Sequence, residues 1–197
     1  MGTREAIHQA LCAGWLTNRE SGFIEYTKYL CRINKSGCSD STGAVANQVE
    51  TGYVLAAISK QRQIVQAYLR YAYGLEERSE ALRTILGWGI RWSIEPKPST
   101  AHRHARLMAL AKVSTDDYRL RVAQTRSMPI EVYGQAMQVN IKSWSRDWRD
   151  LQNKALDYLA ALDHEGVANV SIMVKALRGK SELSITEALE TCGKNNA

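Results

Sequence analysis

SMPIEVYGQAMQVNIKSWSRDWRDLQNKALDYLAALD, residues 127–163, holds two helical patterns joined across a short polar break. Pro129 suits the start of the first, where its missing N–H would have no helical partner anyway. Ile130, Tyr133, Met137 and Ile141 then recur at helical spacing and share one face. Lys142 and Ser143 follow, and Ser143 or Ser145 is placed to cap a second helix by accepting a backbone N–H. Through Trp144, Trp148, Leu151, Ala155, Tyr158, Leu159 and Leu162 the apolar positions step by threes and fours, the stripe of a helix laid on a core. The opposite side offers Arg146, Arg149, Gln152, Asn153 and Lys154.

Two helices about a polar turn, the second presenting Arg, Asn and Gln outward, make a helix-turn-helix pattern. Such side chains donate in pairs to guanine or adenine edges in a major groove. A helical hairpin with one solvated face produces the same pattern. The turn is also about two residues longer than the tightest version. Asp147 and Asp150 dilute the positive side. Trp144 and Trp148 read as pins that seat the second helix, with base stacking as their alternative use.

The rest of the chain is helical in the same way, so the fold class expected is all-α, a multi-helix globular protein containing a helix-turn-helix. Thr3 can cap a first helix bearing Ile7, Leu11 and Trp15 on one side. A second carries Phe23, Tyr26, Tyr29, Leu30 and Ile33, before a loop of turn formers from Asn34 to Gly43. A third runs from about Ala44 to Ile58, with Val45, Val49, Tyr53 and Ala57 spaced by fours. Lys60 to Tyr73 is a fourth, with Gly74 where a left-handed helix end would stand. A fifth, Glu76 to Leu86, breaks at Gly87-Trp88-Gly89. Ile90, Trp92 and Ile94 then alternate towards Pro96 and Pro98, as a short strand or, preferably, an extended linker.

Ser99 or Thr100 can cap a helix from Ala101 to Lys112, and Asp116-Asp117 suits the first turn of another. His164-Glu165-Gly166 reads as the end of the long helix. Val167 to Leu177 fits helix or strand, and Ser184 to Cys192 is a last short helix. The divisions are therefore an N-terminal helical region, 1–74; a helical insertion, 75–128, with a linker near 90–99; the helix-turn-helix unit, 129–163; and a C-terminal helical extension, 164–197.

With 197 residues, the chain has length enough for a sizeable core. Its 26 Lys+Arg against 20 Asp+Glu leave a formal charge of +6, compatible with nucleic acid without requiring it. No stretch approaches a membrane span and the N-terminus has no apolar signal core, so the expected location is the cytoplasm. Cys12, Cys31, Cys38 and Cys192 lack disulfide-framework or zinc spacing. Reduced thiols are the expectation, with a zinc site from Cys31, Cys38 and His8 or Cys12 as the minor alternative. There is no phosphate loop, nucleophile elbow or metal-binding histidine pair, and nothing positive points to an enzyme or a cofactor.

Two further elements bear on function. Ser36-Gly37-Cys38-Ser39-Asp40 forms a loop before a helix, and Leu69-Arg70-Tyr71-Ala72-Tyr73-Gly74 closes a later one. Their order resembles the Q-type late-gene antiterminators of lambdoid phages, of the phage 21 kind. Those proteins carry a Ser-Cys-Ser-Asp-like loop, a helix ending in Tyr-x-Tyr-Gly, and a helix-turn-helix similar to the promoter-reading region 4 of a bacterial sigma factor. Ala136-Met137 is similar to the first helix of that unit, and Asp147-Trp148-Arg149 through Leu159 to the second. The resemblance covers about Arg4 to Tyr73 and Ile130 to Leu162. In shorter relatives the unit follows Tyr-x-Tyr-Gly almost at once, whereas here Leu75 to Met128 intervenes. Either this chain has an insertion or the partner motif lies elsewhere in that stretch.

The resemblance implies binding to a double-stranded DNA element near a late promoter, then loading onto paused RNA polymerase with its sigma factor in the bacterial host. It also implies a collar that narrows the RNA exit channel and suppresses termination. DNA-binding residues on this reading are Lys142, Ser143, Ser145, Arg146, Arg149, Gln152 and Asn153. Serine and lysine would hold phosphates while Arg149 and its neighbours reach bases. Arg103, Arg106, Arg119 and Arg121 form a second surface, for phosphate or polymerase, unless they are simply solvated helix faces. A conventional helix-turn-helix repressor or activator, or a helical adaptor that binds only protein, are the alternatives.

Overall fold

The computed structural model describes residues 2–17, 41–74, 79–97, 99–179 and 183–194. Among them the secondary structure is helical throughout, with no strand. The elements are α1 (Thr3–Thr17), α2 (Ser41–Ser59), α3 (Gln63–Tyr73), α4 (Glu80–Ile94), α5 (Ala101–Gln124), α6 (Ile130–Met137), a 3-10 turn (Ile141–Ser143), α7 (Trp144–Asp147), α8 (Arg149–Leu177) and α9 (Ile185–Lys194). The expected second helix, the Ser36–Asp40 loop, Cys31 and Cys38 lie outside the described residues. No helix among the described residues is long and apolar enough to cross a membrane.

The chain divides into two compact units, Met1–Glu77 with Glu165–Ala197, and Arg78–His164. In the first, α1 packs on α2 and α3, and α9 on α2. Ile7, Val65, Leu69 and Val170 are fully buried there. Ala57, Met173, Ala188 and Cys192 make a core cluster flanked by Tyr53, Ile172 and Leu189. Val49, expected on the buried side of α2, is instead 51% exposed. The His8 ring donates from Nδ1 to the Tyr73 carbonyl at 2.6 Å, and Cys12 Sγ lies 3.6 Å from the same nitrogen. Burial pushes the Cys12 thiol up to about 11, so it stays protonated. Among the described residues no group of three metal-ligating side chains is assembled.

Two expectations in this unit need correction. Gly74 is not left-handed: its φ is −79°, and it caps α3 by donating to the Arg70 carbonyl. Space, not handedness, favours glycine, because a Cβ there would collide with that carbonyl. Nor does His164-Glu165-Gly166 end the long helix, which continues to Leu177 and settles the ambiguous 167–177 run as helix. A Cβ on Gly166 would stand 2.9 Å from Leu69 Cδ2 and 3.1 Å from Val65 Cγ1. The glycine therefore permits contact with α3, and that burial outweighs its helix penalty of about 1 kcal/mol. Arg62 clasps Glu165 with two nitrogens, and Gln61 Nε2 donates to the Gly166 carbonyl at 3.3 Å.

In the second unit α4 packs on α5 and α5 on α6. Leu86, Ile90, Leu107, Leu110 and Tyr133 are fully buried. Here too the sequence pattern misplaces boundaries. α4 passes through Gly87-Trp88-Gly89 to Ile94, so neither a strand nor a linker begins at Ile90. Gly87 faces α5, where a Cβ would meet Met108 Cε at 3.3 Å, so it is a packing glycine and not a breaker. The chain after α4 is fixed by Arg91, which is 1% exposed. It donates to the carbonyls of Glu95 and Lys97 and to Ser99 Oγ.

Thr100 caps α5, accepting from Arg103 N–H at 3.4 Å. α5 is one helix and not two: Ser114, Thr115 and Asp117 are buried in its middle. Thr115 Oγ1 donates back to the Ala111 carbonyl at 2.9 Å, and Arg83 reaches Asp116 at 2.8 Å. Tertiary contacts override the weak helix propensity of Val-Ser-Thr-Asp-Asp.

Replacing Gly166 with Val should destabilise the protein by roughly 1–3 kcal/mol, the usual cost of forcing methyl groups into a packed interface. Urea unfolding followed by circular dichroism measures it, and an unchanged midpoint would mean that α3 and α8 do not approach this closely.

Candidate nucleic-acid interface

The region from Met128 to Leu156 is held in place by one carboxylate, Asp117, which is 0% exposed. Its Oδ1 accepts from the Met128 N–H at 2.7 Å, fixing the chain just before α6. Its Oδ2 accepts from the Tyr133 hydroxyl at 2.7 Å and from Arg121 Nη2 at 2.9 Å. Burial pushes the Tyr133 phenol far above its ordinary value, so it remains a donor at any physiological pH. Its ring lies 5.5 Å from that of Trp144, at 57°. The Trp144 indole N–H in turn donates to Gln152 Oε1 at 3.2 Å. A chain of polar contacts and rings thus runs from α5 through α6 and α7 into α8.

Between α6 and α7 the turn is tight. Gln138 takes the left-handed conformation, φ 54°, and Val139 N–H donates to the Gly134 carbonyl at 3.0 Å. Space at Gly134 is tight: a Cβ would lie 3.0 Å from Ile141 Cγ1, and that side chain would have to give by a few tenths of an ångström. Asn140 Oδ1 accepts from Lys142 N–H at 2.9 Å and caps the 3-10 turn. The expected serine caps are not used: Ser143 makes no side-chain cap bond, and its hydroxyl donates back to the Asn140 carbonyl. Pro129 stands one position earlier than expected, as the N-cap of α6. Tyr133 and Met137 are buried as the spacing predicts, but Ile130 and Ile141 are each 42% exposed.

Trp144 and Trp148 are both buried. Truncating such a side chain costs about 3–5 kcal/mol, more than the ~1–3 kcal/mol of a base stack. Their surroundings make them the pins of α8. Around them Lys142, Ser145, Arg146, Arg149 and Asn153 are exposed, while Ser143 and Gln152 are half-buried and engaged in holding the turn and Trp144. Arg146 forks onto its neighbour Asp147 at 2.7 and 2.9 Å. That contact holds the Asp147 carboxyl below its ordinary range.

The members of the second arginine group are each engaged differently. Arg103 grips Glu95 with two nitrogens, Arg106 donates to the Gln138 carbonyl at 3.2 Å, and Arg119 is half-buried. Arg121 joins the first group: with Ser145, Arg149, Gln152 and Asn153 it lines a cleft of about 460 Å³. Met128, Ile130, Ile141, Trp144 and Leu156 form the apolar part of its wall. The sequence reading missed both this cleft and Asp117. The one signal for Asp117 is its register on α5, in phase with Leu110 and Val113 on the buried side.

Compared with known proteins, the chain matches no family model, no curated protein and no solved structure.

Asp117→Ala leaves a buried phenol, an N–H and a guanidinium without their acceptor and should cost roughly 3–5 kcal/mol in urea unfolding. A loss below ~1 kcal/mol would show that these contacts do not hold α6. Stability should also fall as pH rises past about 10. There the unfolded phenol loses its proton while Tyr133 keeps its own, so the unfolded state binds fewer protons. Tyr133→Phe should flatten that alkaline limb, and an identical limb in the variant would contradict the assignment.

Proposed function

We propose that the chain binds duplex DNA through the outward side of residues 142–153 and acts as a late-gene transcription antitermination factor of the Q type. The observation that carries the DNA-binding part is the division of labour around α7. Both indoles are buried, and Lys142, Ser145, Arg149 and Asn153 stand exposed within twelve residues, held by no carboxylate among the described residues. Lysine and serine at such a turn suit phosphate contacts, and Arg149 and Asn153 suit base edges. Arg146 serves less well, because its fork already faces Asp147. Gln152 supports the interface from behind by holding Trp144.

The antitermination part rests on the resemblance. α3 ending at Tyr73 with Gly74 as its cap agrees with the Tyr-x-Tyr-Gly element. On this reading the protein engages an element near a late promoter, loads onto paused bacterial RNA polymerase in the host cytoplasm, and suppresses termination downstream. It needs neither covalent chemistry nor a cofactor.

Arg149→Ala should weaken binding to the cognate element by about 1–3 kcal/mol in a gel-shift titration, and wild-type affinity should fall steeply with added salt. Equal affinity in the variant removes Arg149 from base reading, and a flat salt response points to a protein-only adaptor. Transcription in vitro past a terminator, on a template carrying the protein's own late promoter, tests the rest. Readthrough that depends on the protein supports antitermination. An effect confined to initiation supports a conventional repressor or activator.

A further inference from the structure

We propose that the cleft between α5, α6 and α8 is a binding site for a small organic anion with an apolar body. The cleft, at about 460 Å³, falls within the roughly 300–1,000 Å³ of small-molecule sites. Its lining includes two guanidinium groups, Arg121 and Arg149, and not one carboxylate. Asp117 neutralises Arg121 only from behind: it takes one nitrogen, Nη2, and is itself fully buried, while 42% of the Arg121 side chain remains exposed. Arg149 is exposed and has no ion pair among the described residues. A ligand acid group entering here meets Arg149 and the nitrogens of Arg121 that Asp117 does not take, the arrangement that favours charge-assisted hydrogen bonds.

The other wall explains the apolar body. Ile130 on α6 and Ile141 in the 3-10 turn, each 42% exposed, are not buried as their spacing would have them and stand at the cleft instead. Leu156 and Met128 continue that surface. Polar and charged residues make up the larger share of the lining, so the cleft offers donors to an acid group and a smaller apolar surface to the rest of the ligand. Ser145, Arg149 and Asn153 belong both to this cleft and to the proposed DNA face. Occupancy therefore excludes the duplex, a consequence that rests on the DNA-binding reading, whereas the cleft site itself does not.

The test titrates the full chain with anilinonaphthalene sulfonate, an aromatic anion that fluoresces when sheltered from water, and with its uncharged counterpart phenylnaphthylamine. Arg149→Ala should weaken the sulfonate about tenfold, the scale of one charge-assisted contact, and leave the neutral dye unchanged. Ile141→Glu, at an exposed position, should weaken both. Trp92→Ala, on the exposed side of α4, should weaken neither. Sulfonate binding unaffected by Arg149→Ala and Ile141→Glu, or abolished by Trp92→Ala, overturns the site. A second titration measures duplex affinity with saturating sulfonate. Weakened duplex binding supports exclusion and unchanged duplex binding overturns it. Absence of duplex binding by the free protein overturns the DNA reading, while the dye titration still decides the cleft.

Discussion

A single buried carboxylate organises the unit that carries the candidate interface. Asp117 sits in the middle of α5 with no exposure, and its cost of desolvation is offset because three donors converge on it. The three fix different things. The backbone N–H of Met128 sets where α6 begins, the Tyr133 hydroxyl sets its rotation, and Arg121 carries charge to the surface. An apolar residue of similar volume could fill the space, but it could not select this one placement of α6. Buried polar groups are high-stakes for that reason: satisfied, they specify a geometry, and unsatisfied, they oppose folding. The Tyr133–Trp144 ring contact and the Trp144–Gln152 hydrogen bond then carry the placement onward to α8. The exposed arginine and asparagine of α8 are thereby positioned by residues that are themselves largely shielded from solvent.

The helical class and most of the core-facing positions were legible because period-3.6 spacing reports burial directly. Tyr68, Leu69 and Ala72 on α3, and Ala155, Leu159 and Leu162 on α8, lie inside as their spacing predicts. Boundaries were less legible, for a consistent reason. Glycine is a punctuation signal only when backbone freedom decides its conformation. At Gly87 and Gly166 the deciding quantity is distance to a neighbouring helix, which no local pattern records. The same holds for Asp116-Asp117, whose carboxylates favour a helix start in isolation but are used mid-helix for an ion pair with Arg83 and for the Tyr133 network.

For the candidate interface, the exposure of Lys142, Ser145, Arg146, Arg149 and Asn153 followed from sequence, but the half-burial of Ser143 and Gln152 and the work done by each residue did not. Gln152 and Arg149 are both long, polar and near the start of one helix. Both line the cleft, but Gln152 also accepts from an indole and Arg149 does not, a difference set by the position of the Trp144 ring beside α8. Likewise Arg103, Arg106 and Arg121 are spaced on one helix, yet their partners are Glu95, the Gln138 carbonyl and Asp117. Charge summed along a sequence therefore overstates the cations available to a ligand.

The placement of the thiols separates the two units chemically. Cys12 and Cys192 are both buried and protonated by desolvation, and both belong to the unit built from the two ends of the chain. Residues 78–164 contain no cysteine at all. Alkylating reagents, which attack thiolates, reach these two sulfurs only when their unit opens. Site-resolved labelling at Cys12 and Cys192 is thus a native clock for the opening of the unit that holds them.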